Sequence, residues 1–128
     1  DLRFECYVSG QTIEVESLTV TPHPVVHSEE AQSHGLRIEV EGRIIGFSGD
    51  TGWTDELRDI AAGADLMICE CNFYETRIPN HLDYRTLEAH VGELGARRIV
   101  LTHLGDEMLR NADKVRLECA EDGMTVRV

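Results

Sequence analysis

Residues 43–50 read RIIGFSGD and continue through Thr51-Gly52. A short apolar run rich in β-branched residues, closed by a Gly-Asp turn, reads as a strand delivering a carboxylate to its C-terminal end. Just upstream, residues 36–40 (LRIEV) alternate apolar and polar, and Glu41-Gly42 separates the two runs, so together they read as a β-hairpin. Downstream, Thr54 is placed to cap a helix, with Asp55 and Glu56 in its first turn. Leu57, Ile60, Ala61 and Ala64 form its apolar stripe, and Gly63 sits where it should stop.

The same alternation of strand and helix repeats to the C-terminus. Residues 65–71 (DLMICEC) read as a buried strand. Asp83 is expected to cap a second helix with the stripe Tyr84, Leu87, Val91 and Leu94, closed by Gly95. Residues 98–102 (RIVLT) form a continuous apolar strand of the kind buried on both faces, a short helix is expected over residues 106–112, and GMTVRV reads as a last strand. Upstream of the hairpin, residues 2–8 read as a strand, residues 12–20 as a strand with a slip near Ser17, and residues 21–35 as a loop. Strands alternating with helices define an α/β chain.

The 128 residues fit one small unit, and 41% hydrophobic against 28% charged residues describes a globular chain rather than a disordered one. The formal net charge of -12 argues against a nucleic-acid coat or a polybasic membrane binder, which need clustered positive charge. No apolar run approaches the roughly 20 residues that span a bilayer, and no segment reads as a secretory signal. Of the four cysteines, Cys69 and Cys71 form C-x-C on one strand face, and no C-x-x-C pair accompanies Cys6 and Cys119. The expectation is reduced, mostly buried thiols in a cytoplasmic protein.

Three polar residues of metal-ligand type sit just past apolar strands: His27 after LTVTPHPVV, Asp50 after RIIGFSG, and His103 after RIVLT. Ends of neighbouring strands converge on one sheet edge, where open α/β folds place their sites. Two imidazoles and a carboxylate suit Zn²⁺ or a similar ion, although each residue alone is equally at home in a surface turn. Of the other histidines, His23 lies between prolines, His34 is a candidate for the pocket rim, and His90 falls on the second helix in a structural position. Trp53 follows the GDTG turn and is expected to pack.

The succession PVVH, HGLRIEV, GFSGDT, ADLMICECNF and NHLDYRTLEAHVGELGARRIVLTHLG, over roughly residues 18–105, resembles the C-terminal half of a metallo-β-lactamase-fold hydrolase. Within that superfamily it is most similar to the branch of ribonuclease Z and related phosphodiesterases. The resemblance implies one half of an αββα sandwich, a mixed β-sheet with outer helices. It also implies a hydrolase attacking with a metal-bound hydroxide, with two Zn²⁺ per complete domain (Mn²⁺ or Fe being alternatives). By the same resemblance His27 and His103 each complete one metal site, Asp50 bridges the two, and Glu70 with His81 assists proton transfer. A carboxylate that orients an imidazole and raises its pKa would ready it to protonate a leaving oxygen.

The superfamily's H-x-H-x-D-H motif is absent, and no two histidines here are separated by one residue. That motif belongs to the first half of the domain, so the chain is expected to be the second half alone. With two or fewer of its expected ligands per metal, it should bind metal weakly and be inactive or nearly so by itself. Its exposed sheet face should drive self-association or pairing with the missing half. Only 23 positions separate His27 from Asp50, leaving no room for a long tRNA-binding insertion, and LGDEML follows His103. A small-molecule or phosphodiester substrate is therefore favoured over nucleic acid. A non-catalytic α/β interaction module that lost its metal site is the alternative.

Overall fold

The computed structural model describes Cys6 and residues 8–128. The reading of residues 2–8 as a strand lies largely outside the described residues. Strands β1 (Ile13–Val15), β2 (Leu18–Pro24), β3 (His34–Val40) and β4 (Arg43–Phe47) come first. Helix α1 (Glu56–Ala61), β5 (Leu66–Glu70), α2 (Tyr84–Leu94), β6 (Ile99–Thr102), α3 (Asp106–Arg110) and β7 (Glu118–Cys119) follow, with a 3₁₀ turn at Ala112–Lys114. The strands form one seven-stranded sheet in sequence order. Pairing is antiparallel from β1 to β4 and parallel from β4 to β7. The mixed α/β sheet with helices is as the sequence predicts.

The β3–β4 hairpin turns at Glu41 (φ 50°) and Gly42 (φ 75°), which brings Val40 opposite Arg43. Both turn residues are left-handed, the geometry whose twist suits a two-residue hairpin. Three expectations are corrected upstream and around α1. The slip at Ser17 is a hairpin turn, with Glu16 at φ 54° and β1 folding back on β2. Residues 21–35 are not all loop, because β2 runs on to Pro24 and pairs with β3 from His34. Pro22 and Pro24 are tolerated because their nitrogens face away from β3, toward the side where β1 has already ended, so no ladder bond is lost. Helix α1 begins at Glu56 with Asp55 at its N-cap, and Thr54 contributes its carbonyl to Leu57 N–H rather than its hydroxyl.

Helices α1 and α2 cover one sheet face. Leu57, Ile60 and Ala61 of α1, Leu87 and Leu94 of α2, and Met67, Cys69 and Leu101 of the sheet are buried together. Removing any one of these large side chains costs about 2–5 kcal/mol, far more than a surface ion pair contributes. Helix α1 crosses β4 at Gly46, where a Cβ would fall 2.6 Å from Met67 Sδ and 3.0 Å from the Ile60 carbonyl oxygen. Asp83 caps α2 by accepting from Thr86 N–H at 2.8 Å, and Gly95 ends it at φ 69°. Both ends of α2 follow the sequence reading.

On the opposite face, Ile45, Leu66, Ile68, Val100 and Thr102 share a cavity with Met124, Val126 and Val128. The C-terminal residues expected to form a strand form none among the described residues, and the last strand is instead the two-residue β7. The helix expected over 106–112 stops at Arg110, and the 3₁₀ turn follows. Among the described residues, no helix is long and apolar enough to cross a membrane.

Candidate metal centre

Parallel strands β4, β5 and β6 all end on one sheet edge, and the segments leaving them carry Asp50, the Glu70–His81 pair and His103. The segment after β2 joins them through two backbone clamps. Val26 N–H donates to Thr51 Oγ1 at 3.0 Å, and Gly52 N–H donates to the Val26 carbonyl at 2.8 Å. His27 is thereby fixed beside the Asp50 turn.

The turn itself is built from buried polar groups. Ser48 and Thr51 are fully buried. Ser48 Oγ accepts from Glu70 N–H at 2.8 Å and donates to the Gly49 carbonyl at 2.7 Å. Thr51 N–H donates to Glu70 Oε1 at 2.5 Å. These bonds tie the end of β4 to the end of β5 and leave Asp50 projecting between them, 45% exposed.

Glu70 is 1% exposed, and burial pushes its carboxyl above the usual range, opposed by the N–H of Thr51, His81 and the N–H of Leu82. His81 Nδ1 donates to Glu70 Oε1 at 2.9 Å, so its Nε2 is left with a lone pair directed elsewhere. His27 Nδ1 donates to the Asn80 carbonyl at 3.0 Å, which frees its Nε2 in the same way. His103 Nε2 lies 3.6 Å from Asp50 Oδ2. The His81 ring centroid is 4.9 Å from that of His27 and 5.3 Å from that of His103.

All five residues singled out in the sequence therefore meet at one edge. One ligating atom each from Asp50, His81 and His103 lies within 4.8 Å of the others. Imidazoles whose second nitrogen is held by a carbonyl or carboxylate are the usual form of metal-ligating histidine, so this donor set fits a divalent ion. His103 adopts φ 55°, an uncommon conformation for a non-glycine residue. Asn72 Nδ2 donates to the His103 carbonyl at 3.2 Å, and Gly105 N–H donates to the Asn72 carbonyl at 3.0 Å.

Sequence reasoning missed the supporting roles of Asn72 and Asn80. An isolated asparagine carries no spacing signal, and Asn80 acts through its backbone. The remaining histidines lie elsewhere. His23 Nδ1 donates to Glu56 Oε2 at 3.0 Å, His34 Nε2 meets Ser9 Oγ at 2.6 Å, and His90 stacks on Trp53 at 4.2 Å. Trp53 packs between His90 and the Arg58 guanidinium.

A mixed sheet with helices on one face and a histidine–aspartate cluster at the ends of its parallel strands defines a metallo-β-lactamase-type α/β chain. Residues 4–104 match the family described as the beta-lactamase superfamily domain, and the chain belongs to that family. An uncharacterized protein of Mycobacterium leprae is 34% identical over 102 residues, which are 77% of this chain and 35% of the relative. A ribonuclease Z of Mycobacterium bovis is 27% identical over 108 residues, 76% of this chain and 39% of its own length. Among solved structures, the metallo-β-lactamase fold protein YhfI of Bacillus subtilis superposes with a TM-score of 0.74 at 25% identity, covering 92% of this chain and 53% of YhfI. The chain thus spans well under two thirds of the length of these relatives.

Proposed function

We propose that this chain forms the second half of a metal-dependent hydrolase domain acting on a phosphodiester-type substrate. The observation that carries the reading is the meeting of Asp50, His81 and His103, with His27 beside them, at the C-terminal edge of the parallel strands. In the complete domain His27, Asp50 and His103 would hold the metal, most simply Zn²⁺ given the imidazole and carboxylate donors. When bound, such an ion lowers the pKa of a coordinated water and polarises the bond to be cleaved. The chain's own residues do the rest. Asn80 and Glu70 orient the two imidazoles, and the Glu70–His81 pair passes a proton to the departing oxygen.

The cleft beside His103 is lined by Thr102, Leu104, Leu109, Ala120, Glu121 and Asp122. Its two carboxylates, with no lysine or arginine among the described lining residues, and the net charge of -12 favour a small substrate over a polynucleotide. Free Cys6, Cys69, Cys71 and Cys119 suit a reducing, cytoplasmic setting. The apolar sheet face is the surface on which the other half of the domain, or a second copy, would pack. The test is hydrolysis of a bis(nitrophenyl) phosphate by the chain with added Zn²⁺ or Mn²⁺. The expected result is at most weak, metal-dependent turnover that Asp50→Ala abolishes. Robust turnover by the chain alone, or turnover indifferent to metal, would overturn the half-domain reading.

A further inference from the structure

We propose that Asn72 is a positioning residue of the candidate site: its side-chain amide holds His103 in the left-handed turn that carries the imidazole to Asp50. The proposal rests on the reading of His103 as a metal ligand. It adds a residue that acts through the His103 backbone and touches neither metal nor substrate.

His103 needs such a partner. It follows the last residue of β6 and adopts φ 55°. That conformation is uncommon for a residue with a Cβ, and it persists where the surroundings over-determine it. The other described non-glycine residues with positive φ have simpler settings. Glu16 and Glu41 lie in the two hairpin turns, and Gln32 lies in an exposed loop. His103 belongs to no hairpin. Strand β6 runs parallel to β5 as far as Thr102 opposite Glu70, and Cys71 N–H donates to the Thr102 carbonyl at 2.9 Å. The strand ends there, and the chain leads into α3.

Asn72 grips this turn at two points. Its Nδ2 donates to the His103 carbonyl at 3.2 Å, and its own carbonyl accepts from Gly105 N–H at 3.0 Å. Residues 103 and 105 are thus held by the side chain and the backbone of one asparagine. The fit is close. A Cβ on Gly105 would fall 2.6 Å from the Asn72 carbonyl oxygen and 3.0 Å from Asn72 Oδ1. Gly105 has φ -82°, so space rather than backbone conformation calls for glycine there. The consequence appears at the ring. The His103 side chain is 43% exposed, so packing alone does not fix it, yet its Nε2 lies 3.6 Å from Asp50 Oδ2. Glu70, two residues before Asn72, holds His81 at 2.9 Å, and the two rings lie 5.3 Å apart. The exit of β5 therefore places both imidazoles, one through its ring nitrogen and the other through its backbone.

The experiment compares Asn72→Ala and Asn72→Asp with the unsubstituted chain by NMR. A left-handed residue gives a strong NOE between its own amide and α protons, and the neighbouring rings of His103 and His81 give NOEs to each other. Both signals should be present in the unsubstituted chain and lost in the two variants. The left-handed signals of Glu16 and Glu41 should persist, which shows that the fold is kept. Gly105→Ala presses on the same turn but leaves the Asn72 amide in place. It should weaken the same two signals, and it keeps the test open should an Asn72 variant unfold. In the complete domain, Zn²⁺ affinity read by competition with a chromophoric chelator should fall about 10-fold or more in both Asn72 variants. The negative charge added by Asn72→Asp would by itself strengthen cation binding, so a loss there marks the missing N–H. Both His103 signals surviving in Asn72→Ala and Asn72→Asp would overturn the proposal, as would unchanged Zn²⁺ affinity in those variants. A complete domain that takes up no Zn²⁺ would sink the metal-dependent reading instead, and the NMR signals would still decide whether Asn72 sets the His103 turn.

Discussion

Glu70, at the end of β5, accepts a 2.9 Å hydrogen bond from His81 Nδ1 across an 11-residue excursion of the chain. Its two oxygens also take the backbone N–H groups of Thr51 and Leu82. One buried carboxylate thus joins the Asp50 turn, the end of β5 and the histidine loop. Glu70→Ala leaves three donors without an acceptor, the buried N–H groups of Thr51 and Leu82 and the half-buried Nδ1 of His81. Each unsatisfied donor costs about 1–3 kcal/mol, partly relieved by entering water, so a net loss of roughly 2–4 kcal/mol is expected. Glu70→Gln keeps one acceptor and should lose less than half of that. Chemical denaturation of the two variants, read by circular dichroism, checks the order.

Gly52 supplies the closest backbone approach at the site. A Cβ added there would lie 2.0 Å from the Pro79 carbonyl oxygen, which no side-chain adjustment can relieve. Gly52→Ala must therefore push residues 79–81 outward, breaking the His27–Asn80 bond and displacing His81. The expected cost is about 1–3 kcal/mol of stability. An alanine variant with an unchanged melting temperature would show that this contact does not hold the histidine loop.

Burial raises the Cys69 thiol to about 12 and raises Cys71 as well, whereas Cys6 is exposed. The thiolate is the reactive form, so Cys69 and Cys71 should resist iodoacetamide at pH 8 while Cys6 is alkylated. Peptide mass mapping before and after unfolding in guanidinium reads this directly. Modification of Cys69 in the folded chain would mean that α1 and α2 open on the timescale of labelling.

Asp65 ties three segments at the far end of the sheet. Its carboxyl is held below its ordinary value of 3.8, first by the Ile44 N–H and then by Arg97 and Arg43. A carboxylate with a depressed folded-state pKa stabilises the fold above its ordinary pKa, and that contribution is lost as pH falls toward the folded value. Asp65→Asn should therefore lower stability at neutral pH, and the gap to the unsubstituted chain should close as pH falls below about 4. Denaturation midpoints measured between pH 2.5 and 7 test the sign. A gap that widens toward low pH would be inconsistent with the pairing.

Much of this was legible because periodicity and punctuation agreed. Gly95 and Asp83 bound α2, Glu41-Gly42 turns the hairpin, and RIVLT and LMICE are continuous apolar strands. The five site residues were legible as strand-end residues and by resemblance. What the sequence hid depends on the third dimension. The Glu16-Ser17 turn carries no glycine, so a hairpin looked like a slipped strand. The prolines of β2 looked like loop because their tolerance depends on β1 having already ended. The closeness of His81 to Asp50 and His103 depends on how residues 71–83 fold back, with Ile78 bridging His81, and no spacing rule encodes that.

The C-terminal segment gives the last prediction. Met124, Val126 and Val128 alternate with polar Thr125 and Arg127, and the apolar three face the same cavity as Ile45, Leu66, Ile68 and Val100. Leu66 and Val100 are each only 3% exposed. The segment shelters them without pairing to a strand among the described residues, and the cavity beneath it shows that the packing is incomplete. Deleting residues 124–128 should bare a continuous apolar patch, and such patches drive association. The shortened chain is expected to bind more hydrophobic dye and to scatter light as a dimer or larger species at concentrations where the intact chain associates less. The substitution Val126→Asp, which keeps the segment but makes it hydrophilic, should act in the same direction and more weakly. Equal dye binding by all three forms would mean that the segment does not shelter the sheet.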